Sequence, residues 1–341
     1  MNFKKMLNYR KVWMAIAILL VIIYHTWYAS DNAFINFICK VAYCGVDIFI
    51  FASGIGCYYS YDSNNDTLQF IKRRLIRLMP TYWIFIVIWL LYEKITGISA
   101  IIGNLFAIQA FSNRSADAGY EAFNFYISAI LLLYFLTPIF YKIIKAFSKK
   151  YHVVFLIFFV LMTFPFWHDE QLIIIVTRIP LYFLGMLFTH YYGKGEKTLG
   201  AKTYFYAFIS FVIGWGIYGL FHVMAKENMW SNGLYWYPFL MIVPFICMSI
   251  STICVAICNT MVGRLIIDKV FGTIGNYTFE IYLVHILVMD IYSDLYHAGK
   301  LSAFPLWSIN VMVIITIIAG TFILNRFSKS VMRLLSGVKN V

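Results

Sequence analysis

The chain has 341 residues, 62% of them hydrophobic and only 12% charged, with a mean hydropathy of +0.77. Soluble domains carry about a quarter charged residues. Too little polar surface remains here to face water, which excludes an ordinary soluble enzyme, a disordered chain and a disulfide scaffold. The formal net charge of +12 suggests nucleic acid at first, but the basic residues sit in short clusters between apolar runs, as cytoplasmic loops of a membrane protein do.

At about 20 apolar residues per span, this length holds roughly ten helices. Lys4, Lys5, Arg10 and Lys11 precede the first apolar run. That run is long, and no small-residue cleavage site follows it, so it reads as a retained span rather than a signal peptide. The expected spans are 12–29, 36–59, 78–96, 123–144, 152–167, 171–191, 203–223, 236–260, 272–292 and 305–325. The stretch Ile98–Phe111 is short and carries Asn104 and Gln109, so it reads as re-entrant or surface-lying. No strand pattern, internal repeat or soluble domain stands out. The fold expected is all-α, a single polytopic transmembrane domain over 1–341 with about ten spans.

Ten spans put both termini on one side. That side receives 21 of the 27 basic residues, and Lys40, Lys94, Arg114, Arg178, Lys226 and Lys300 are the other six. The asymmetry predicts cytoplasmic termini. The six cysteines, Cys39, Cys44, Cys57, Cys247, Cys254 and Cys258, form no CxxC pair and no metal-ligand spacing. They read as small residues in apolar runs, and no metal is expected.

Ionisable residues inside spans are costly and are functional candidates by default. Six stand out: His25, Asp47, Arg178, Glu280, His285 and Asp290. With about 1.5 Å of rise per residue, the expected topology puts His25, Asp47, Arg178 and His285 in one layer of the outer half. Such a layer suits an enzyme's acid/base site or a transporter's polar pathway. Each residue also has a plainer reading: a satisfied core histidine, an Asp47–Arg178 structural ion pair, or, for Asp290, proximity to the water interface. The cluster Lys72-Arg73-Arg74-Leu75-Ile76-Arg77 is either a topology anchor or a dock for a cytoplasmic anion. Arg74 and Arg77 share a helix face, and arginine grips phosphates bidentately.

In order along the chain, Ala15–His25, Gly45-Val46-Asp47-Ile48-Phe49 to Gly54, Arg74-Leu75-Ile76-Arg77, Asn124-Phe125-Tyr126-Ile127 with Tyr134 to Pro138, Arg178-Ile179-Pro180 to Gly185, and Tyr277 to His285 resemble the motifs of the membrane acyltransferase 3 family of bacterial O-acyltransferases. The resemblance implies a bacterial cell-membrane enzyme. It would transfer an acyl group, usually acetyl, from acyl-CoA to a hydroxyl of a surface glycan, lipid-linked sugar or small metabolite. It implies no nucleic acid, and it leaves room for a homo-oligomer or polysaccharide-assembly partners.

The implied roles fall on particular residues. His25 is a general base or, on a rival route, an acyl carrier. Asp47 orients or charge-balances it, and Arg178 stabilises the developing oxyanion or grips the acceptor. Arg73, Arg74 and Arg77 hold the donor's head. His285 supports the catalytic group from behind or binds the acceptor, and Glu280, Tyr126 and Asn124 serve the acceptor. One position departs from the pattern: the basic residue that the family places eleven before the histidine is Met14 here. Lys11, one turn earlier on nearly the same face, is the expected substitute in donor binding. A transporter or flippase, and a non-catalytic relative, remain open as alternatives.

Overall fold

A computed structural model describes residues 1–26, 32–111, 124–166, 169–193, 198–225 and 233–336. The ends of the expected spans at 27–29, 123 and 167 lie outside them, as do the loop cations Arg114, Lys194, Lys197, Lys226 and Lys339. In chain order the helices are α1 (Phe3–Leu7), α2 (Arg10–His25), α3 (Ala33–Val41), α4 (Cys44–Asp62), α5 (Thr67–Tyr92), α6 (Ile98–Leu105), α7 (Asn124–Ala146) and α8 (Lys149–Leu161). They continue with α9 (Glu170–Val176), α10 (Ile179–Tyr192), α11 (Ala201–Ala225), α12 (Tyr237–Ile257), α13 (Met261–Leu265), a π-helical turn over Ile266–Phe271, α14 (Gly272–Asn276), α15 (Thr278–His297) and α16 (Leu306–Ser336). No strand occurs among the described residues.

Eight helical segments are long and apolar enough to cross a membrane. The other two expected spans fall short for separate physical reasons. Helix α2 has 16 residues, and α15 carries Glu280, Asp290 and Asp294 within its 20. The 98–111 stretch forms the eight-residue α6 and a 3-10 turn, too short to span. Asn104 is fully buried there, and its amide donates to the Ala100 carbonyl at 2.9 Å.

Besides the fifth, whose α-helix stops after Leu161, and the ninth, which is interrupted at Tyr277 between α14 and α15, two expected spans are broken. The second is α3 plus α4, interrupted at Ala42 and Tyr43. The sixth is α9 plus α10, interrupted at Thr177 and Arg178. Pro180 explains the second break: proline has no N–H to donate to the preceding turn and suits the first turn of a new helix.

The chain forms two compact units, Met1–Ile71 with Phe125–Asn276, and Lys72–Asn124 with Tyr277–Val341. In the first unit α4 is the central helix, with 14 of its 19 residues buried. It packs on α10 through reciprocal glycines. A Cβ on Gly54 would sit 2.2 Å from the Tyr182 carbonyl oxygen, and one on Gly185 would sit 2.5 Å from that of Phe51. Small residues at such positions let two backbones approach closely, as membrane helices require. Helix α4 also runs antiparallel to α2. The Tyr24 and Tyr43 rings meet edge-on at 5.9 Å, Gly45 abuts Ala17 and Val21, and Gly56 abuts the Arg10 guanidinium. Helix α11 joins α12 by Tyr204–Thr252 and Ser210–Met241 hydrogen bonds. Its outer face leaves Phe205, Tyr206 and Val212 exposed, as a lipid-facing helix would.

In the second unit α5 holds α6 through Tyr82 and Trp83, which donate to the carbonyls of Asn104 and Leu105. Helices α15 and α16 pack together along Tyr277–Phe322 and Val284–Gly320, with a Tyr292–Thr316 hydrogen bond at 3.0 Å.

Candidate active site

The site centre lies in the first unit, where helices begin. Asp47 is in the first turn of α4, a favourable place for a carboxylate because a helix N-terminus carries partial positive charge. Arg178 is the residue on which α10 starts, and Trp236 the one on which α12 starts. The sequence repeats itself at both, an aromatic or basic residue followed two positions later by proline: Arg178-Ile179-Pro180 and Trp236-Tyr237-Pro238.

Arg178 is fully buried and Asp47 is 2% exposed, and Arg178 Nε lies 3.4 Å from Asp47 Oδ1. The guanidinium also donates to the Ile174 carbonyl at 2.7 Å and reaches the Thr177 hydroxyl at 3.3 Å. It stacks 3.6 Å over the Trp236 ring, with the Phe125 ring 5.4 Å away. Tyr43 completes the group: its ring meets Trp236 edge-on at 4.6 Å, and its hydroxyl donates to the Tyr235 carbonyl at 2.9 Å. Asp47 Oδ2 is buried with no hydrogen-bond partner among the described residues. A buried acceptor left so is costly, and it is a place for a donor from a bound molecule. Asp47, Arg178 and Trp236 each lie at the start of a helix, and a helix N-terminus and a guanidinium can each stabilise negative charge developing on an oxygen.

The other expected residues fall as follows. His25 is the last residue of α2, half-buried, with its ring edge-on to Tyr24 at 5.2 Å. The α2–α4 register sets it about six residues, roughly 9 Å along the axis, beyond the level of Asp47. Tyr126 is buried on α7 with its ring 5.9 Å from Phe49, and Asn124 opens α7.

Lys11 is exposed in the first turn of α2, at the opposite end of that helix from His25. Arg10 beside it turns inward against Gly56 of α4, so of these two cations it is the arginine that points into the α2–α4 interface. Arg10 sits one helical turn before Met14 and was open to the same periodicity argument as Lys11.

In the second unit, Arg73, Arg74 and Arg77 lie on the continuous α5, with Arg74 half-buried and the other two exposed. His285 is fully buried, its Nδ1 3.1 Å from the Ile281 carbonyl. Only a ring N–H can serve that oxygen, so Nε2 is the acceptor nitrogen of the neutral ring. Glu280 accepts from Asn325 Nδ2 at 2.7 Å, which ties α15 to α16.

The Trp236, Tyr43 and Phe125 contacts to this centre escape sequence reasoning, because aromatic residues are spread through the whole chain. Among the described residues no group of three histidine, cysteine or acidic side chains is placed to hold a metal ion.

The described residues thus form an all-α protein with eight helical segments long and apolar enough to cross a membrane, and with a buried ion pair where two of its helices begin. The family described as acyltransferase domain matches residues 13–326, and the chain belongs to that family. No curated protein and no solved structure matches it. The chain is thus a membrane acyltransferase, with an acyl donor and an acceptor as its substrates.

Proposed function

We propose that the protein moves an acyl group, acetyl in the first instance, from cytoplasmic acyl-CoA to a hydroxyl of a surface glycan, lipid-linked sugar or small metabolite in a bacterial cell membrane. The observation that carries this reading is the buried Asp47–Arg178 pair at the start of two helices in a chain of the acyltransferase family. His25 takes the proton of the acceptor hydroxyl as its oxygen attacks the thioester carbonyl. Arg178 supports the oxyanion of the tetrahedral intermediate, and Asp47 orients or charge-balances His25. Collapse expels the CoA thiolate, which takes the proton back from the imidazolium. Arg73, Arg74 and Arg77, with Lys11, hold the donor's phosphates. Tyr126, Asn124, His285 and Glu280 serve the acceptor.

The test is thiol release from acetyl-CoA by the purified protein, wild type beside His25→Ala, with and without a crude cell-envelope acceptor pool. Release by the wild type and its loss in the variant support the reading. No release under any acceptor, together with no acetyl-CoA binding, overturns it. A carrier reading is favoured by one observation, the two interrupted spans whose second halves begin beside a buried charge pair. Acceptor-dependent thiol release separates the two, since a carrier cleaves no thioester.

A further inference from the structure

A second polar site stands at the Arg10 end of α2, away from the Asp47–Arg178 centre. It is a cleft of about 340 Å³ between the α1–α2 junction and the π-helical turn with α14. That volume is at the low end of the roughly 300–1,000 Å³ of small-molecule sites, and suits one nucleoside rather than a polymer.

Its floor is apolar. Val12 and Ile267 are buried there and pack in one cluster with Cys254, against which Tyr9 also rests. Its rim is polar: Asn8 and Asn276 bring side-chain amides, Lys11 a cation and Asp268 a carboxylate. Lys11 and Asp268 line the same cleft without pairing with each other. The π-helical turn that carries Asp268 is a rare geometry which recurs at functional sites. The wall is fixed from behind, because Gly275 lies so close to α2 that a Cβ would stand 2.2 Å from the Lys11 carbonyl oxygen. On the α1 side Trp13 donates to Ser251 Oγ, which donates in turn to the Met6 carbonyl. The Tyr9 phenol, desolvated and beside the Cys258 thiol, is pushed up to about 12 and stays a neutral aromatic wall at physiological pH.

We infer that this cleft is the adenine subsite of the acyl donor. The inference rests on the acyl-CoA reading above and adds to it the residues that recognise the base. An adenine needs an apolar floor, an aromatic wall, and hydrogen-bonding groups along one edge. Asn side chains bind its N6 and N7 atoms as a pair. Asp268 accepts from the exocyclic N6 amine, which carries no charge to repel it. Asn8 and Asn276 complete the edge. Lys11, at the rim, meets a phosphate beyond the ribose. A cleft meant only for phosphate would have no use for the carboxylate. Only binding is assigned here, with no bond made or broken.

The full-length protein in detergent tests this by calorimetry with three probes: acetyl-CoA, adenosine 3′,5′-bisphosphate, and the acetyl-CoA analogue whose adenine is replaced by hypoxanthine. The analogue lacks the N6 amine, and so needs no variant to fold. The wild type is expected to bind it about tenfold more weakly than acetyl-CoA. Asp268→Ala is expected to lose about tenfold for acetyl-CoA and to bind the two compounds equally. Asn276→Ala is expected to weaken the bisphosphate as well. Equal wild-type affinity for acetyl-CoA and its analogue overturns the subsite and leaves the donor reading standing. So does wild-type-like acetyl-CoA binding by Asp268→Ala and Asn276→Ala. Absence of acetyl-CoA binding and of thiol release in the wild type overturns both.

Discussion

Arg178 holds its place through three kinds of contact: the Asp47 carboxylate, the Ile174 carbonyl and the Trp236 face. Removing one member of a buried ion pair strands the other, at a cost of roughly 3–5 kcal/mol. Arg178→Gln is therefore expected to lower thermal stability strongly. The double variant Asp47→Asn/Arg178→Gln should recover much of the loss, because neither charge is left stranded. Melting of the purified variants checks this, and additive losses would mean the two residues do not interact. Trp236 acts through Arg178 by a cation–π contact, which is worth about 2 kcal/mol or more when desolvated. Trp236→Phe is expected to keep most turnover. Trp236→Leu should lower kcat about tenfold or more with KM little changed, and steady-state thiol release separates the two parameters.

Helix contacts decide where these side chains meet. Gly54 and Gly185 face carbonyl oxygens across the α4–α10 seam, so a methyl at either meets backbone rather than a movable side chain. Gly54→Ala and Gly185→Ala are each expected to destabilise by about 1–3 kcal/mol, as overpacking does. They should also reduce activity, since the seam sets the Asp47–Arg178 distance. Gly56→Ala differs in kind. Its Cβ would meet the end of the Arg10 side chain, which can move aside. That variant should melt close to wild type, and melting curves of the three separate backbone collision from side-chain displacement. The helix breaks were only partly open to sequence reasoning. Pro180 marks the second, whereas the 36–59 run is continuously apolar and hides the interruption at Ala42 and Tyr43. Hydropathy measures transfer from water and takes no account of where backbone hydrogen bonds stop.

At the scale of the molecule, the basic asymmetry predicts cytoplasmic termini. A fluorescent protein fused after α16 is then expected to fluoresce, and an alkaline phosphatase at the same point to stay inactive. The reverse pattern would show that one span has been miscounted. Eight segments pass on length and hydropathy, and the topology argument needs α2 and α15 as well. The reason those two fall short is visible in their content. Helix α2 has only 16 residues, and α15 carries the carboxylates of Glu280, Asp290 and Asp294.

The sequence by itself determined the class of protein, the order of its helices and most of the candidate residues, because these depend on composition, on helical periodicity and on the cost of charge in an apolar run. It also put Asp47 and Arg178 forward as partners, since two opposite charges at membrane depth need each other. Only the tertiary structure decided that Trp236 and Phe125 face Arg178, that Tyr43 packs on Trp236, and that Glu280 is tied to Asn325. It also decided that Arg10 and Lys11, adjacent in sequence, point to different places. Those facts depend on how far helices rotate and how closely they approach, set by packing between residues distant in sequence, which local patterns do not carry.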